Sequence, residues 1–388
     1  MMNRRPARRR SDDAPTVAIV CDFLTDVGGA ERVVIAMAEL FPEAPIFTLL
    51  FDAKRLAPFL DPARVRPSPL AGVPRFMRRN RFRRYLLSFF PRAVEAMDFS
   101  GYDIVISSAQ SFSKGVITKP ETLHLSYCHS PTRYLWDWHA EYLREQKLSG
   151  LKLRLVQWLT SGLRQWDVLA AERVDRFISN SENVRHRIQK YYRRDAVVIH
   201  PPVRMPEHAL AKEHAGYFLI VSRLEPYKHI DLAVKAFARM KDLHLVVIGD
   251  GWQRAELEKV ATENVEFLGY KDDATVTAYL QGARGLIFPG EDDFGIVPVE
   301  AMAAGKPVIA FGKGGALETV VEGQTGTFFY EATPKDLKEA VLRLITMERN
   351  FDPKKIRAHA EKFSEASFKK KLAAFVAQSW EEHRKEYA

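Results

Sequence analysis

Short apolar runs alternate with amphipathic helical patterns along almost the whole sequence. TVAIVCDF (16–23) is such a run, and ERVVIAMAELF (31–41) behind it repeats apolar residues at helical spacing. Five further runs in the first half have the same character: APIFTLLF (44–51), YDIVISSA (102–109), LHLSYC (123–128), RFISNS (176–181) and AVVIHPP (196–202). Runs that are apolar on both faces and separated by helices predict a parallel sheet covered on both sides. The first half therefore predicts one doubly wound domain.

The same alternation starts again after PPVRMPEHALAKEHAG (201–216), a segment of prolines and mixed charge that we interpret as a hinge. The runs of the second half are GYFLIVSRL (216–224), LHLVVIGDG (243–251), VEFLGY (265–270), GLIFPG (285–290) and PVIAFG (307–312). The predicted class is α/β, with two doubly wound, Rossmann-like parallel-sheet domains facing each other across a cleft. Ligands of such domains bind at the carboxyl ends of the strands.

The predicted domain bounds follow from this restart. We expect a disordered basic tail over 1–15, an N-terminal domain over 16–202 and a C-terminal domain over 203–365. A last amphipathic helix over 366–388 carries Phe368, Leu372, Phe375, Val376 and Trp380 on one side. We expect it to pack back toward the N-terminal domain.

Composition excludes several classes of protein. The only two cysteines, Cys21 and Cys128, lie in apolar runs, which argues against a disulfide framework and a zinc knuckle. No apolar run approaches the roughly 18 residues that span a bilayer. The basic N-terminus MMNRRPARRRSDDAP has no apolar segment behind it, so it is not a secretory signal. These features predict a cytoplasmic location.

The most informative stretch is FPGEDDFGIVPVEAMAAGKPVIAFGKGGALETVVEG (288–323). It predicts a strand ending near Phe288, a loop of glycine and acidic residues, and a helix beginning near Ile296. The backbone N–H groups of Phe294, Gly295 and Ile296 would then lie at a helix N-terminus, which suits a phosphate. Glu300, one turn further along, could accept hydrogen bonds from a ribose diol.

These residues resemble the signature of the retaining GT-B glycosyltransferases of family four, also called glycosyl transferases group 1. The matching segment is Asp292-Asp293-Phe294-Gly295-Ile296, followed by Glu300-Ala301-Met302-Ala303 and Gly305-Lys306-Pro307-Val308. Four other segments match as well: Gly28-Gly29-Ala30-Glu31, Val221 to Lys228, Gly249-Asp250-Gly251 and Val265 to Gly269. The segment Tyr127 to Asp137 resembles the mannosyltransferase branch that builds bacterial O-antigen and exopolysaccharide.

The resemblance implies roles for individual residues. Arg223 and Lys228 would grip the donor diphosphate, and His129 would contact the donor sugar. The catalytic set is then His129, Arg223, Lys228 and Asp292, and the donor-binding set is Gly28, Gly29, Phe294, Gly295, Ile296 and Glu300. Each has a purely structural alternative: surface charges at a strand end, a buried core histidine, an ion pair on a helix, or turn glycines.

Two positions depart from the family pattern. Asp292 stands where the family has the first glutamate of its motif, unless the loop register lets Glu291 take that role. His229 stands where a glycine usually follows the diphosphate lysine, which suggests a slightly altered turn that leaves Lys228 usable.

Basic and bulky apolar residues alternate in a segment that has no acidic residue between Asp61 and Glu95. Phe82, Leu86, Phe89 and Phe90 fall at helical spacing there. We interpret the segment as a helix lying on anionic lipid, close to a lipid-linked acceptor. The alternatives are an ordinary solvated face, or single-stranded nucleic acid, for which no motif is present. The residues assigned to this membrane and acceptor side are Arg75, Arg78, Arg79, Arg81, Phe82, Arg83 and Arg84.

The resemblance implies a retaining mannosyltransferase that uses GDP-mannose and a polyprenyl-diphosphate-linked saccharide. It would act in bacterial surface polysaccharide synthesis, peripherally on the inner leaflet of the cytoplasmic membrane. No metal site and no cofactor are expected, because no D-x-D pattern of metal-dependent transferases is visible. Two alternatives stay open: a nucleotide-sugar 2-epimerase of the same fold, and a non-catalytic, membrane-associated nucleotide-sugar-binding protein.

Overall fold

The computed structural model describes residues 14–74, 84–145, 149–206, 209–211 and 213–387. Most of the predicted basic tail lies outside the described residues, as do Arg75, Arg78, Arg79, Arg81, Phe82 and Arg83. The chain forms two compact units. Unit one comprises the chain up to Ile178 together with Ile188–Ala196 and Ala373 onward, and unit two comprises Ser179–Arg187 and Val197–Leu372.

A sheet of seven strands, ordered β3-β2-β1-β4-β5-β6-β7, forms the centre of the first half of the chain. The pairs around β1 and β4 run parallel. Its strands are β1 Val17–Leu24, β2 Ile46–Phe51, β3 Val65–Pro67, β4 Ile104–Ala109, β5 Leu123–Cys128, β6 Arg176–Ser179 and β7 Ala196–Val198. The helices of this half are α1 Gly29–Leu40, α2 Ala53–Leu56, α3 Phe90–Glu95, α4 His139–Glu145, α5 Gly150–Glu172 and α6 Glu182–Tyr192.

The sheet of unit two has six parallel strands in the order β10-β9-β8-β11-β12-β13. Its strands are β8 Tyr217–Val221, β9 His244–Ile248, β10 Val265–Gly269, β11 Gly285–Phe288, β12 Val308–Phe311 and β13 Gly326–Phe329. The helices are α7 Ile230–Phe237, α8 Arg254–Val260, α9 Asp273–Gly282, α10 Ile296–Ala303, α11 Ala316–Thr319, α12 Pro334–Thr346, α13 Pro353–Ala360 and α14 Glu365–Glu386.

The two parallel sheets confirm the predicted fold class. The central strands β4, β5, β11 and β12 are buried at every position, as strands covered by helices on both faces must be. The apolar run of β5 matched the strand, the run of β1 began and ended one residue early, and the other runs overestimated their strands by one to four residues. They missed two strands: β3, a three-residue strand that ends in a proline and carries little pattern, and β13.

Two apolar residues of the arginine-aromatic segment are not available to a membrane. Leu86 and Phe90 are buried in a core cluster with Val105, Phe112 and Leu163, so their predicted role as membrane-facing surface is wrong. Helical spacing alone could not separate a face that meets lipid from one that meets the domain's own core. Phe89 does lie at the surface.

Helix α14 belongs to both units, because unit two ends at Leu372 and Ala373 begins the last part of unit one. Phe368, Leu372 and Val376 are buried, as predicted. The buried stripe then continues through Ser379 and His383 rather than through Trp380. None of the helices in the described part of the chain is both long enough and apolar enough to cross a bilayer.

Candidate active site

The strand order of unit two reverses between β8 and β11, which are direct neighbours in the sheet. In doubly wound sheets the crevice at such a reversal is where ligands bind. The loop after β8 carries Arg223 and Lys228, and the loop after β11 carries Asp292 and Gly295. The topology therefore brings together residues that the sequence places in two separate motifs.

Lys228 and Asp292 form an ion pair between these two loops. The Lys228 Nζ atom lies 2.5 Å from Oδ1 and 2.6 Å from Oδ2 of Asp292. Both side chains are largely shielded, with 14% of Lys228 and 23% of Asp292 exposed. A Cβ atom at Gly290 would lie 2.9 Å from the Lys228 Cα atom, so only glycine lets the loops approach this closely. Asp292, not Glu291, is the acidic residue that meets the lysine.

His229 takes the left-handed conformation, with φ 51° and ψ 36°, directly before α7. That conformation is favoured by glycine and carries a modest cost for other residues. The residue that replaces the family's glycine therefore adopts a glycine-like turn, and the Lys228 side chain reaches the neighbouring loop from it.

Helix α10 begins at Ile296, as predicted, with Gly295 preceding it in a left-handed conformation at φ 84°. The Phe294 side chain is buried, with its ring centroid 5.4 Å from that of His200 and 5.6 Å from that of Phe363. Only its backbone is thus placed to meet a ligand. Glu300 lies in the second turn of this helix.

Tyr227 contacts both cations of the β8 loop, and sequence reasoning assigned it no role. Its hydroxyl lies 2.8 Å from Arg223 Nη2, and Lys228 Nζ lies 5.2 Å from the centre of its ring. Arg223 is exposed, and its guanidinium meets no carboxylate among the described residues. Burial raises the pKa of the nearby Glu225 carboxyl, against the opposing effects of Trp252 and Arg223.

The loop after β11 is anchored by residues far away in the sequence. Arg187 on α6 pairs with Asp293 and also with Glu291, whose Oε1 lies 3.3 Å from Nη2. Ser181 Oγ donates to the Asp293 carbonyl oxygen at 2.7 Å. These bonds turn Asp293 and Glu291 toward α6 and leave Asp292 directed at Lys228. Sequence analysis missed Arg187, because nothing local distinguishes it from a surface arginine.

Glu318 fixes the start of α6 within the same unit. Its carboxylate accepts hydrogen bonds from the backbone N–H groups of Glu182 at 2.7 Å and Asn183 at 2.8 Å. Burial alone would raise the pKa of Glu318. Bonds from His200 and the two N–H groups lower it below its ordinary value. A negative charge at a helix N-terminus is stabilising, so this contact holds the helix that carries Arg187.

In unit one, His129 directly follows β5. Its Nε2 atom lies 2.8 Å from Ser108 Oγ, and its backbone N–H donates to the Ala109 carbonyl oxygen at 2.9 Å. Burial lowers the pKa of the imidazole to about 3. His129 is consequently neutral near pH 7, so it can donate or accept a hydrogen bond but offers no positive charge.

The loop after β1 leads to Gly28 and Gly29, two residues of the predicted donor-binding set. Gly28 precedes α1, and its backbone N–H donates to Glu31 Oε2 at 3.0 Å. The amide of Gly28, which belongs to the predicted donor-binding set, therefore has its hydrogen bond with the carboxylate of the same helix. Gly29 is the first residue of α1. Nearby Asp22 accepts hydrogen bonds from four successive backbone N–H groups, those of Gln110 to Ser113.

A fully buried ion pair supports the segment that follows His129. Lys114 Nζ lies 2.6 Å from Asp167 Oδ1. Asp167 also accepts hydrogen bonds from Thr132, Trp136 and Tyr192, at 2.8–2.9 Å. Buried charges are tolerated when every lone pair is satisfied in this way. Neither residue lies in a matched motif, and no sequence signal identified them.

Within the described ranges, no group of three or more His, Cys, Asp and Glu side chains is arranged to hold a metal ion. The unit-two loops combine two cations, a helix N-terminus and the Glu300 carboxylate. Chemically, this arrangement suits a nucleoside diphosphate: cations for the phosphates and a carboxylate for the ribose.

Comparisons with known proteins agree with this chemistry. The family model Glycosyltransferase Family 4 matches residues 27–205, and the model Glycosyl transferases group 1 matches residues 204–370. The α-1,3/1,6-mannosyltransferase alg2 of Schizosaccharomyces pombe is 25% identical over 379 residues, covering 80% of this chain and 69% of the relative. An uncharacterised glycosyltransferase of Methanocaldococcus jannaschii is 31% identical over 179 residues, covering 45% of this chain. The chain spans 50% of that archaeal relative's length.

Among solved structures, HepE of Anabaena in complex with UDP-glucose superposes with a TM-score of 0.66. The sequence identity is 18%, and the match covers 94% of this chain and 100% of that one. At this identity the likeness establishes the fold alone.

Proposed function

The chain belongs to glycosyltransferase family 4, the group 1 glycosyl transferases with the GT-B fold, and we propose on this premise that it is a retaining hexosyltransferase. Its donor is a nucleoside-diphosphate sugar, GDP-mannose, and its acceptor is a saccharide carried on a polyprenyl diphosphate. The product belongs to bacterial surface polysaccharide synthesis, made at the inner leaflet of the cytoplasmic membrane.

The observation that carries this proposal is the pairing of Lys228 with Asp292 at the strand reversal of unit two. A lysine held there by a carboxylate is positioned before any donor arrives. Together with exposed Arg223 and the helix N-terminus at Gly295, it supplies positive potential for a diphosphate. Preorganised charge of this kind stabilises a leaving group without reorganisation during the reaction.

The proposed reaction breaks the bond between the sugar C1 and the β-phosphate oxygen. The acceptor hydroxyl oxygen forms its bond to C1 on the same face, and its proton passes to the departing phosphate oxygen. The negative charge that develops on the phosphate oxygen before the proton arrives is stabilised by Arg223 and Lys228, and the protonated nucleoside diphosphate then leaves. His129, being neutral, contributes a hydrogen bond to the donor sugar and not a charge.

Asp292 has a shorter side chain than the glutamate of the family motif, and we assign it two states. Without donor it holds Lys228 with both oxygens. When the diphosphate binds, the lysine is shared with the phosphate, and one Asp292 oxygen becomes available to a sugar hydroxyl. The carboxylate thus remains part of the site despite its length.

Mannose as the transferred sugar is supported by similarity to the fungal mannosyltransferase. The lipid-linked acceptor is supported by the segment Tyr127 to Asp137, which resembles the O-antigen and exopolysaccharide branch. Neither the epimerase nor the non-catalytic alternative is favoured by an observation in the structure.

A panel of donors tests the proposal. We would incubate the protein with GDP-mannose, UDP-glucose and ADP-glucose, each with a short-chain polyprenyl-diphosphate saccharide, and analyse both sugar and lipid products. The expected outcome is transfer from GDP-mannose, with an α-linked product. Interconversion of the sugar without transfer would indicate an epimerase, and calorimetric binding of nucleotide without any product would indicate a sensor.

A further inference from the structure

Helix α5 has two apolar faces, and only one of them packs against the part of the chain that the structure describes. Leu163, Ala170 and Ala171 are buried, as are Thr160 and Asp167 between them. On the opposite side Leu151, Leu155, Trp158 and Leu169 are exposed by 82%, 55%, 72% and 58%. Their spacing of four, three and eleven residues keeps them on one stripe of a 3.6-residue helix, about 27 Å long.

The charges that border the N-terminal part of this stripe are positive, whereas exposed Glu172 lies beside Leu169 at its C-terminal end. Lys152 and Arg154 are exposed on its two sides, one step along the helix from Leu151 and Leu155. The sequence from 146 to 166 contains no aspartate or glutamate. Arg164, further along α5, donates from Nε to the Leu135 carbonyl oxygen at 2.7 Å and so belongs to the packing.

We propose that this face of α5, named here the α5 stripe and consisting of Leu151, Lys152, Arg154, Leu155, Trp158 and Leu169, docks on an anionic lipid bilayer. An interfacial helix combines one apolar side, aromatic and leucine residues, and cations that reach the headgroups. Tryptophan favours the headgroup level, because its ring is apolar and its N–H is polar. The α5 stripe satisfies each of these requirements with described side chains.

A second copy of this chain is a less suitable occupant. In a twofold contact centred near Leu155, the Leu151 and Trp158 surfaces meet each other, so Lys152 and Arg154 approach their own copies within a stretch, 146–166, that contains no acidic residue. A bilayer containing anionic lipid supplies the complementary charge, worth roughly a factor of five in affinity for each cation near the surface.

The α5 stripe is distinct from the arginine-aromatic segment of the sequence analysis, most of which lies outside the described residues. The two are related through the core: Leu86 and Phe90 pack in the same cluster as Leu163 of α5. Tyr85 and Phe89 of that segment are themselves exposed. Only the purpose of docking, access to a lipid-linked acceptor, rests on the proposed function. The docking itself does not.

Vesicle binding tests the proposal with the full chain. Sedimentation with vesicles of phosphatidylglycerol and phosphatidylcholine should show binding that falls with added salt. The triple variant Leu151→Ser, Leu155→Ser, Trp158→Ser should bind at least tenfold more weakly. The matched control Val260→Ser, Tyr330→Ser, Leu342→Ser replaces three exposed apolar residues of unit two and should bind like the parent.

Fluorescence supplies a second measurement that does not depend on affinity. Trp158 emission should shift to the blue with anionic vesicles, and Trp158→Phe should lose most of that shift. Equal vesicle binding by the triple variant and the parent would overturn the proposal. The proposal would also be overturned if the parent formed a dimer without binding vesicles and the triple variant were monomeric. The α5 stripe would then be the contact with a second copy. GDP binding, measured on the same proteins, distinguishes failure of the docking proposal from failure of the proposed transferase function.

Discussion

At the residue scale, the candidate site depends on a few charges whose neighbours decide their chemistry. Lys228 is held by both oxygens of Asp292, whereas the exposed Arg223 guanidinium is hydrogen-bonded to the Tyr227 hydroxyl. His129 is kept neutral by burial. The two cations of unit two suit a ligand that carries negative charge, such as a diphosphate.

Replacement of Lys228 by alanine should lower turnover more than it weakens nucleoside binding. Loss of a preorganised donor at a developing negative charge costs about 2–4 kcal/mol, or roughly 30- to 1,000-fold in kcat. Lys235→Ala is the matched control, because that lysine pairs with Asp231 at 2.7 Å on the solvent-facing side of α7. Steady-state kinetics with GDP-mannose would measure both variants. An unchanged kcat in Lys228→Ala would remove this residue from the mechanism.

The pH dependence of stability should reflect His124 and His129. Burial lowers the pKa of each imidazole to about 3, against about 6.5 in the unfolded chain. Below pH 6.5 the unfolded chain therefore binds protons that the folded protein does not bind. The free energy of unfolding consequently decreases as the pH falls toward 3. For fully buried His124 the loss between pH 7 and pH 5 is about 1–2 kcal/mol.

Urea denaturation at pH 7 and pH 5 measures this effect. The variant His124→Asn should lose less stability over that interval than the parent does, even if its stability at pH 7 is lower. His186→Asn, at an exposed histidine of α6, should behave like the parent. A parent whose free energy of unfolding is the same at both pH values would contradict the burial argument.

At the element scale, the loop between β11 and α10 owes its conformation to α6. Arg187 holds Glu291 and Asp293, Ser181 holds the Asp293 carbonyl, and Glu318 fixes the start of the helix. The loop is also packed too tightly for larger residues, since a Cβ atom at Gly315 would lie 2.3 Å from the Phe294 Cα atom. A donor site on such a loop is preorganised by neighbours that do not touch the donor.

Arg187→Ala should therefore weaken GDP binding without removing any group that contacts it. The change leaves two carboxylates without their charged partner, and hydrogen bonds to charged groups contribute about 1.5–3 kcal/mol each. We expect a loss of about tenfold in GDP affinity by calorimetry and a lower free energy of unfolding. Arg185→Ala is the control, because Arg185 lies on the same helix and pairs with Glu182 in the same turn. If both variants bind GDP alike, Arg187 has no positioning role.

At the scale of the whole molecule, the two sheets place each group of candidate residues at the carboxyl ends of their strands. In unit two, the donor-binding candidates follow β8 and β11, where the strand order reverses. In unit one, the Gly28 loop follows β1, and Asp22 near the end of β1 accepts hydrogen bonds from the turn after β4, the corresponding reversal. Both units thus repeat one architectural rule.

Transfer should survive chelation, because Arg223, Lys228 and the α10 N-terminus supply the positive charge that a diphosphate requires. We expect the initial rate of transfer in about 5 mM EDTA to lie within about twofold of the initial rate in buffer with Mg²⁺. Abolition of transfer by EDTA and its restoration by Mg²⁺ or Mn²⁺ would show that protein cations alone are insufficient.

The sequence by itself determined the fold class and the location of the donor motif. Strands buried on both faces and helices at 3.6-residue spacing leave a pattern in local sequence, and the motif from Asp292 to Glu300 is contiguous, so its strand, loop and helix could be predicted together. The start of α10 at Ile296 was predicted from the same local signals.

Only the tertiary structure decided which charges meet. Lys228 and Asp292 are 64 residues apart, Arg187 and Asp293 are 106 apart, and Lys114 and Asp167 are 53 apart. Their pairing depends on strand order and side-chain direction, which local sequence does not encode. The same holds for Leu86 and Phe90, because an apolar helical face looks alike whether it meets a core or a membrane, and only the neighbouring elements decide between them.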